Sequence, residues 1–178
     1  MKAHRPYELK EYDPEWKQRF LDAAEKLKPS FGDNLVEIDH IGSTSIVGMV
    51  AKPQVDVLVV VKDLDAVADR HNALTEAGFI PRGRGYVTED DEYLTQDSPD
   101  GKHLVSVHTL QEGNPKIEEY KVFRDYLQEN EADRNLYIAT KRNLYSAYEN
   151  SYAEYDSGKK DVINAIKSRA KQWASKKV

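Results

Sequence analysis

Along the chain the apolar positions change period several times, and each change marks an element. Trp16, Phe20, Ala23, Ala24 and Leu27 recur at helical spacing behind Asp13-Pro14-Glu15. There Asp13 can cap, Pro14 suits the first helical position, and Glu15 complements the positive end of the helix dipole. The pattern predicts a helix to about Lys28, closed by Pro29 and Gly32. Alternation takes over from Leu35 to Ile41 and predicts a strand, with Leu35, Glu37 and Asp39 facing opposite to Val36, Ile38 and His40. A second strand, Val55 to Val61, is apolar everywhere except at Asp56.

Helical spacing returns in Leu64, Val67, Ala68, His71, Leu74 and Ala77, with Gly78 as cap. Phe79-Ile80 opens another strand, and Arg82-Gly83-Arg84-Gly85-Tyr86 reads as a basic, flexible hairpin or ligand-facing loop. His103 to Leu110 alternates again, with Leu104, Ser106 and His108 on one face. After Gly113-Asn114-Pro115 only helical spacing remains: Tyr120, Phe123 and Leu127; then Leu136, Thr140, Leu144, Ala147 and Tyr148; then Val162, Ile163, Ile166, Ala170 and Trp173, with Gly158 between the last two. The predicted class is α/β (α+β), a mixed β-sheet flanked by helices with a C-terminal helical extension. One domain is expected over 1–178, with an α/β core at 1–115 and helices at 116–178 packed on the sheet.

Composition narrows the function classes. A chain of 178 residues buries about two thirds of its unfolded surface without a staple. It has no cysteine, which excludes disulfides and thiolate metal sites. Residues 1–6 lack the apolar core of a leader, so a cytoplasmic, unexported protein without a membrane partner is expected. A net charge of −5, from 31 acidic and 26 basic residues, gives no strong nucleic-acid signal. Lys159, Lys160, Lys167, Arg169, Lys171, Lys176 and Lys177 read as a solvated helix face. Tyr137, Tyr145, Tyr148, Tyr152 and Tyr155 read first as packed amphipathic aromatics, with base stacking as the alternative.

Two features carry chemistry. In Gly42-Ser43-Thr44-Ser45 the glycine permits close backbone approach, and the following amides and hydroxyls attract an anion. Asp56 stands in an apolar strand, and burying an unpaired carboxylate is costly, so it sits at a strand end, meets a cation or binds a metal. Each feature alone is common. Together, with the acid thirteen positions beyond Ser43 (56 minus 43), they point to a nucleotide phosphate and a divalent ion, magnesium, at Asp56.

Lys52 is the favoured cation for phosphate, with Arg82, Arg84 and Arg124 as further candidates. The bland reading of Arg84 is a solvated loop residue, and that of Arg124 a helix ion pair with Asp125 or Glu119. His108 is a general base, a metal ligand, a phosphate contact or simply a hydrogen-bonded strand histidine. His40 has the same alternatives.

Tyr12-Asp13-Pro14-Glu15-Trp16, His40-Ile41-Gly42-Ser43-Thr44-Ser45, Ala51-Lys52-Pro53, Val55-Asp56-Val57-Leu58, Val107-His108 and Phe123-Arg124-Asp125-Tyr126-Leu127 occur in this order over nearly the whole chain. In them the sequence resembles the GrpB family, small bacterial proteins placed in the nucleotidyltransferase superfamily. The resemblance implies a triphosphate on the turn at Gly42-Ser43 and two divalent ions, with Asp56 as ligand. The implied reaction moves a nucleoside monophosphate from a nucleoside triphosphate to a hydroxyl whose owner is unidentified.

Active superfamily members carry a second carboxylate two residues after the first, and here that position is Leu58. One carboxylate neutralises little of the charge of two ions. The substitutes available are Glu37, Asp39, Asp90, Asp91 and Glu92, none at the two-residue spacing that shares a strand face with Asp56. Two functions therefore compete: a magnesium-dependent transferase with Asp56 and His108 catalytic, and a noncatalytic module for a nucleoside triphosphate or other phosphorylated small molecule. A third is a protein interaction domain using the helical tail.

Overall fold

The computed structural model describes residues 7–177; residues 1–6, read above for the absence of a leader, and residue 178 lie outside the described residues. Five strands form one mixed sheet: β1 (Leu35–Ile41), β2 (Val55–Val61), β3 (Ile80–Arg84), β4 (Glu92–Asp97) and β5 (His103–Gln111), in the spatial order β1-β2-β5-β4-β3. β2 and β5 are parallel at its centre, and every other pair is antiparallel. Helix α1 (Glu15–Phe31) and the short α2 (His71–Glu76) cover one face. The chain then continues through α3 (Pro115–Glu129), α4 (Glu131–Tyr148), α5 (Tyr152–Gly158) and α6 (Lys160–Ser175).

Strand β2 fixes the geometry of everything that follows. Val55, Val57, Val59 and Val61 point into the core beneath α1, where Trp16, Ala23, Leu27 and Phe31 meet them, and all four valines are fully buried. Slipping β2 by one residue would drive Asp56 into the apolar layer beneath α1, where an unpaired carboxylate is strongly destabilising. The core valines therefore hold Asp56 on the opposite face. Its neighbours on that face, Leu58 and Val60, join Ile41 and Leu110 under Ile117 and Tyr120 of α3.

A third apolar cluster joins Ile46 and Met49, just after the Gly-Ser turn, to Tyr126 and Leu127 of α3, Tyr137 of α4, and Ile166 and Ala170 of α6. The helices thus grip the turn segment as well as the sheet.

Several local expectations are corrected. Helix α1 runs through Pro29 to Phe31 and ends at Gly32, whose φ of 53° stops it. A bulge between Leu35 and Glu37 breaks the alternation of β1, so Leu35 and Ile38 share the core face while Val36 is exposed. The helix expected after Leu64 begins as a 3-10 segment, Asp65–Arg70, and becomes α-helical only at His71. Strand β4 was not expected. Glu92, Tyr93, Leu94 and Thr95 are all buried, so no alternation marks it, and its acid Glu92 bonds His71 at 2.9 Å instead of meeting water.

Candidate functional site

The turn between β1 and β2, the ends of β4 and β5, and helices α3 to α6 enclose a cleft of about 480 Å³. That volume suits a small-molecule ligand. Gly42, Ser43, Thr44, Lys52, Asp56, Arg82 and His108, all anticipated from the sequence, line it together.

Gly42 and Asp56 touch most closely. Gly42 adopts φ 71° and ψ −174°, a conformation essentially restricted to glycine. A Cβ there would overlap Oδ2 of Asp56 and stand 3.1 Å from its Cβ and Cγ. The glycine was expected to let a ligand approach the backbone, but the space over it holds the protein's own carboxylate.

The hydroxyls of the turn are already engaged. Ser45 Oγ donates to the Gly42 carbonyl at 2.5 Å, and Thr44 Oγ1 lies 3.0 Å from Nε2 of His40. Ser43 Oγ receives Nζ of Lys141 at 2.5 Å. Lys141 comes from α4, is only 3% exposed, and also donates to the Val50 carbonyl at 2.9 Å. Its Nζ stands 4.4 Å from the centre of the Tyr137 ring. Burial, reinforced by Lys159 and Lys52, holds this amine well below the ordinary lysine pKa, against the opposing pull of Asp56. Lys52 donates to the Tyr152 hydroxyl at 2.8 Å and lies over that ring.

His108 is oriented from behind. Its Nδ1 lies 2.9 Å from Oδ2 of Asp91, a carboxylate only 1% exposed, which leaves Nε2 facing Asp56 with Oδ1 4.0 Å away. A buried carboxylate on Nδ1 fixes the tautomer and aims Nε2 as a proton acceptor toward the cleft. The other oxygen of Asp91, Oδ1, is buried without a hydrogen-bond partner. Asp91 was expected, if anything, as a substitute metal ligand; its placement behind His108 makes it a positioning residue.

Other candidates sit elsewhere. Arg84 pairs with Asp65 at the surface, outside the cleft lining. Arg124 is likewise outside it; its Nη1 donates to Asp39 Oδ1 at 2.9 Å and to the His40 carbonyl at 3.0 Å, and its Nε to Asp125 at 2.7 Å, so it clamps α3 to β1. Glu37 and Asp39 are occupied by Lys121 and Arg124, and Asp90 by Lys116. His40 stacks on Phe20 at 4.8 Å; burial, helped by Arg124, lowers its pKa to about 4. That describes a neutral structural histidine. Arg82 reaches the cleft while bonded to Thr95 and near Asp97.

The tail lysines divide. Lys159 and Lys167 line the cleft, the latter paired with Glu119, whereas Arg169 holds Asp133 and Lys177 holds Glu129. The tyrosines pack on one another, Tyr7 against Tyr145, Tyr152 and Tyr155, and Tyr137, Tyr152 and Tyr155 also line the cleft.

The donors do not fit a two-ion centre. Asp56 is the single carboxylate at the turn. The position that would supply the second is Leu58, fully buried under α3, and Asp91 is turned to His108. Among the described residues no group of three or more His, Cys, Asp or Glu is placed to hold a metal.

Sequence reasoning missed Lys141. It assigned the inner face of α4 to Leu136 and Leu144, yet Leu136 is 47% exposed, and Tyr137 and Lys141 are the residues buried on this helix. The available signal was their i, i+4 spacing, a charged residue one turn from an aromatic.

Among known proteins, the family model described as GrpB protein matches residues 6–169. The UPF0157 protein SCO7215 of Streptomyces coelicolor is 37% identical over 162 residues, covering 91% of this chain and 83% of that protein. The UPF0157 protein YqkA of Bacillus subtilis is 32% identical over 169 residues, 95% of this chain, which spans only 48% of that relative's length. The crystal structure of conserved protein GrpB from Enterococcus faecalis superposes with a TM-score of 0.85 at 31% identity, over 93% of this chain and 99% of that one. No helix among the described residues is long and apolar enough to cross a membrane.

Proposed function

The chain belongs to the GrpB protein family, and from that premise and the geometry of its cleft we propose that the cleft binds the phosphates of a nucleotide. The observation that carries this reading is the convergence of Lys52, Lys141, Lys159 and Arg82 with the Gly42-Ser43 turn. Two carboxylates, Asp56 and Glu119, face them, and Glu119 is already paired with Lys167. A phosphate chain accepts hydrogen bonds from these side chains and from the amides of the turn. The tyrosine walls supply faces for a base.

Calorimetric titration of ATP into the wild type and Lys52→Met tests it, with and without magnesium. Binding that persists without metal and weakens about tenfold in Lys52→Met, as expected for loss of one charge-assisted contact, supports the proposal. Absence of heat with every nucleoside triphosphate sinks it.

The Asp91–His108 pair favours a second reading, transfer of a nucleoside monophosphate to a hydroxyl. The acceptor O–H gives its proton to Nε2 of His108, and its oxygen forms the bond to the α-phosphorus. The bond from that phosphorus to the bridging oxygen then breaks, and pyrophosphate leaves with the electron pair. Magnesium at Asp56 was the original expectation for this reaction; the donor set lacks the second carboxylate, and no step here is routed through a metal. Pyrophosphate release that disappears in both His108→Gln and Asp91→Asn, while ATP still binds, supports transfer; release unchanged in both removes it.

A further inference from the structure

Lys141 is a lysine only 3% exposed. It lies on α4 and is bonded to Ser43, 98 residues away along the chain, across the inner end of the cleft. Its two hydrogen-bond partners are a hydroxyl and a backbone carbonyl, and among the described residues no carboxylate forms an ion pair with it. A buried ammonium without a counter-charge is strongly destabilising, whereas a neutral amine fits this environment without strain. Its Nζ donates to Ser43 Oγ and to the Val50 carbonyl, the two N–H bonds that a neutral amine can supply, and stands beside the Tyr137 ring.

The charges around it on each packed element explain why it stays in this state. Lys52 approaches from the segment before β2 and Lys159 from the end of α5. Asp56 of β2 is the counter-charge that acts on it, and Tyr137 of its own helix is held protonated by burial. Lys159, itself paired with Asp156 at 3.0 Å, and Lys52 act against Asp56, and burial adds to them. A ligand phosphate entering between Ser43 and Lys52 reverses that balance, because it brings at least one full negative charge into contact distance of Nζ.

We propose that Lys141 is the inner phosphate anchor of the cleft and that nucleotide binding loads a proton onto its Nζ, so that binding and proton uptake are one event. The inference rests on the phosphate-binding reading above and adds to it a residue and a linkage which that reading does not require. In the empty cleft Lys141 holds the turn through Ser43; in the filled cleft the same nitrogen donates to phosphate as an ammonium. Affinity then falls as pH rises, because the free protein must acquire a proton that becomes scarcer.

The test is calorimetric titration of metal-free ATP at pH 8.5 in two buffers of different ionisation enthalpy. The proteins are the wild type, Lys141→Met and His108→Gln. The expected result is uptake of about one proton per ATP by the wild type, retained in His108→Gln. In Lys141→Met the uptake is absent and affinity falls on the order of tenfold to a hundredfold, the loss of a buried charge-assisted contact.

ATP binding by the wild type without proton uptake overturns the inference and leaves the phosphate-binding reading standing. Uptake that survives in Lys141→Met, or disappears in His108→Gln, assigns the proton elsewhere and overturns it too. Failure of the wild type to bind ATP overturns both readings. If Lys141→Met does not fold, the wild type decides: its ATP dissociation constant must rise with pH above 8, by up to about tenfold per unit, and a flat profile refutes the linkage.

Discussion

Replacing Gly42 by alanine separates two costs that the structure superimposes. The first is conformational: φ 71° with ψ −174° lies in a region that side chains essentially avoid, at about 1–3 kcal/mol. The second is steric: the new methyl overlaps Oδ2 of Asp56 and meets its Cβ and Cγ at 3.1 Å. The strand cannot yield, because Val55 and Val57 on either side are fully buried, so the Asp56 side chain must rotate off its preferred geometry at a further cost of about 1–2 kcal/mol. Gly42→Ala is therefore expected to lose about 2–5 kcal/mol in urea unfolding.

The same substitution made in Asp56→Ala meets no carboxylate, only the Cβ at 3.1 Å, and is expected to lose little more than the conformational part. The four proteins form a double-mutant cycle whose interaction energy is about 1–2 kcal/mol, with unchanged m-values. Additivity within about 0.5 kcal/mol would refute the claim that the glycine exists to admit Asp56. A cost for Gly42→Ala of less than about 1 kcal/mol would refute the backbone argument as well.

Three further substitutions probe the surroundings of the cleft. His40, held neutral with a pKa of about 4 against an ordinary 6.5, binds a proton more readily in the unfolded chain. Its contribution is complete above pH 6.5 and is lost as pH falls toward 4. Between pH 7 and 5 this amounts to about 2 kcal/mol, and urea unfolding at the two pH values should show a correspondingly shallower loss in His40→Gln. Leu58→Asp, which writes the missing carboxylate back into β2, is expected to cost about 3–5 kcal/mol because the site is fully buried beneath α3; a melting temperature near wild type would contradict that burial. Arg124→Met should lower stability by about 1–3 kcal/mol through loss of its bonds to Asp39 and the His40 carbonyl, with ATP affinity unchanged within about twofold, since Arg124 clamps α3 to β1 outside the cleft.

What could be read in advance was whatever a local pattern governs. β2 appeared with its bounds because seven successive positions, interrupted only by Asp56, allow little else, and α1 because its apolar stripe is regular and Asp13 accepts from the Glu15 amide at its start, although Pro14 stands one position before the first helical residue. β4 escaped because a strand buried on both faces does not alternate, and Glu92 disguised it by finding His71 as a partner. At the site, the turn, Lys52, Asp56, Arg82 and His108 were legible as residue types that chemistry needs, and the chain brings them together. Asp91 and Lys141 were not, since their meaning lies in contacts with His108 on the neighbouring strand and with Ser43 from a distant helix. Arg84 and Arg124 show the converse: a guanidinium announces an anion, and sequence alone does not say that the anion is Asp65 or Asp39.

The distance along the chain between Ser43 and Lys141, 98 residues, also sets a schedule. During synthesis at about 5–20 residues per second, the turn emerges from the ribosome roughly 5–20 s before its lysine does. Throughout that interval the amino-terminal portion presents the loop without the cation that completes it. The lining is complete only later still, once Lys159 and Lys167 have followed.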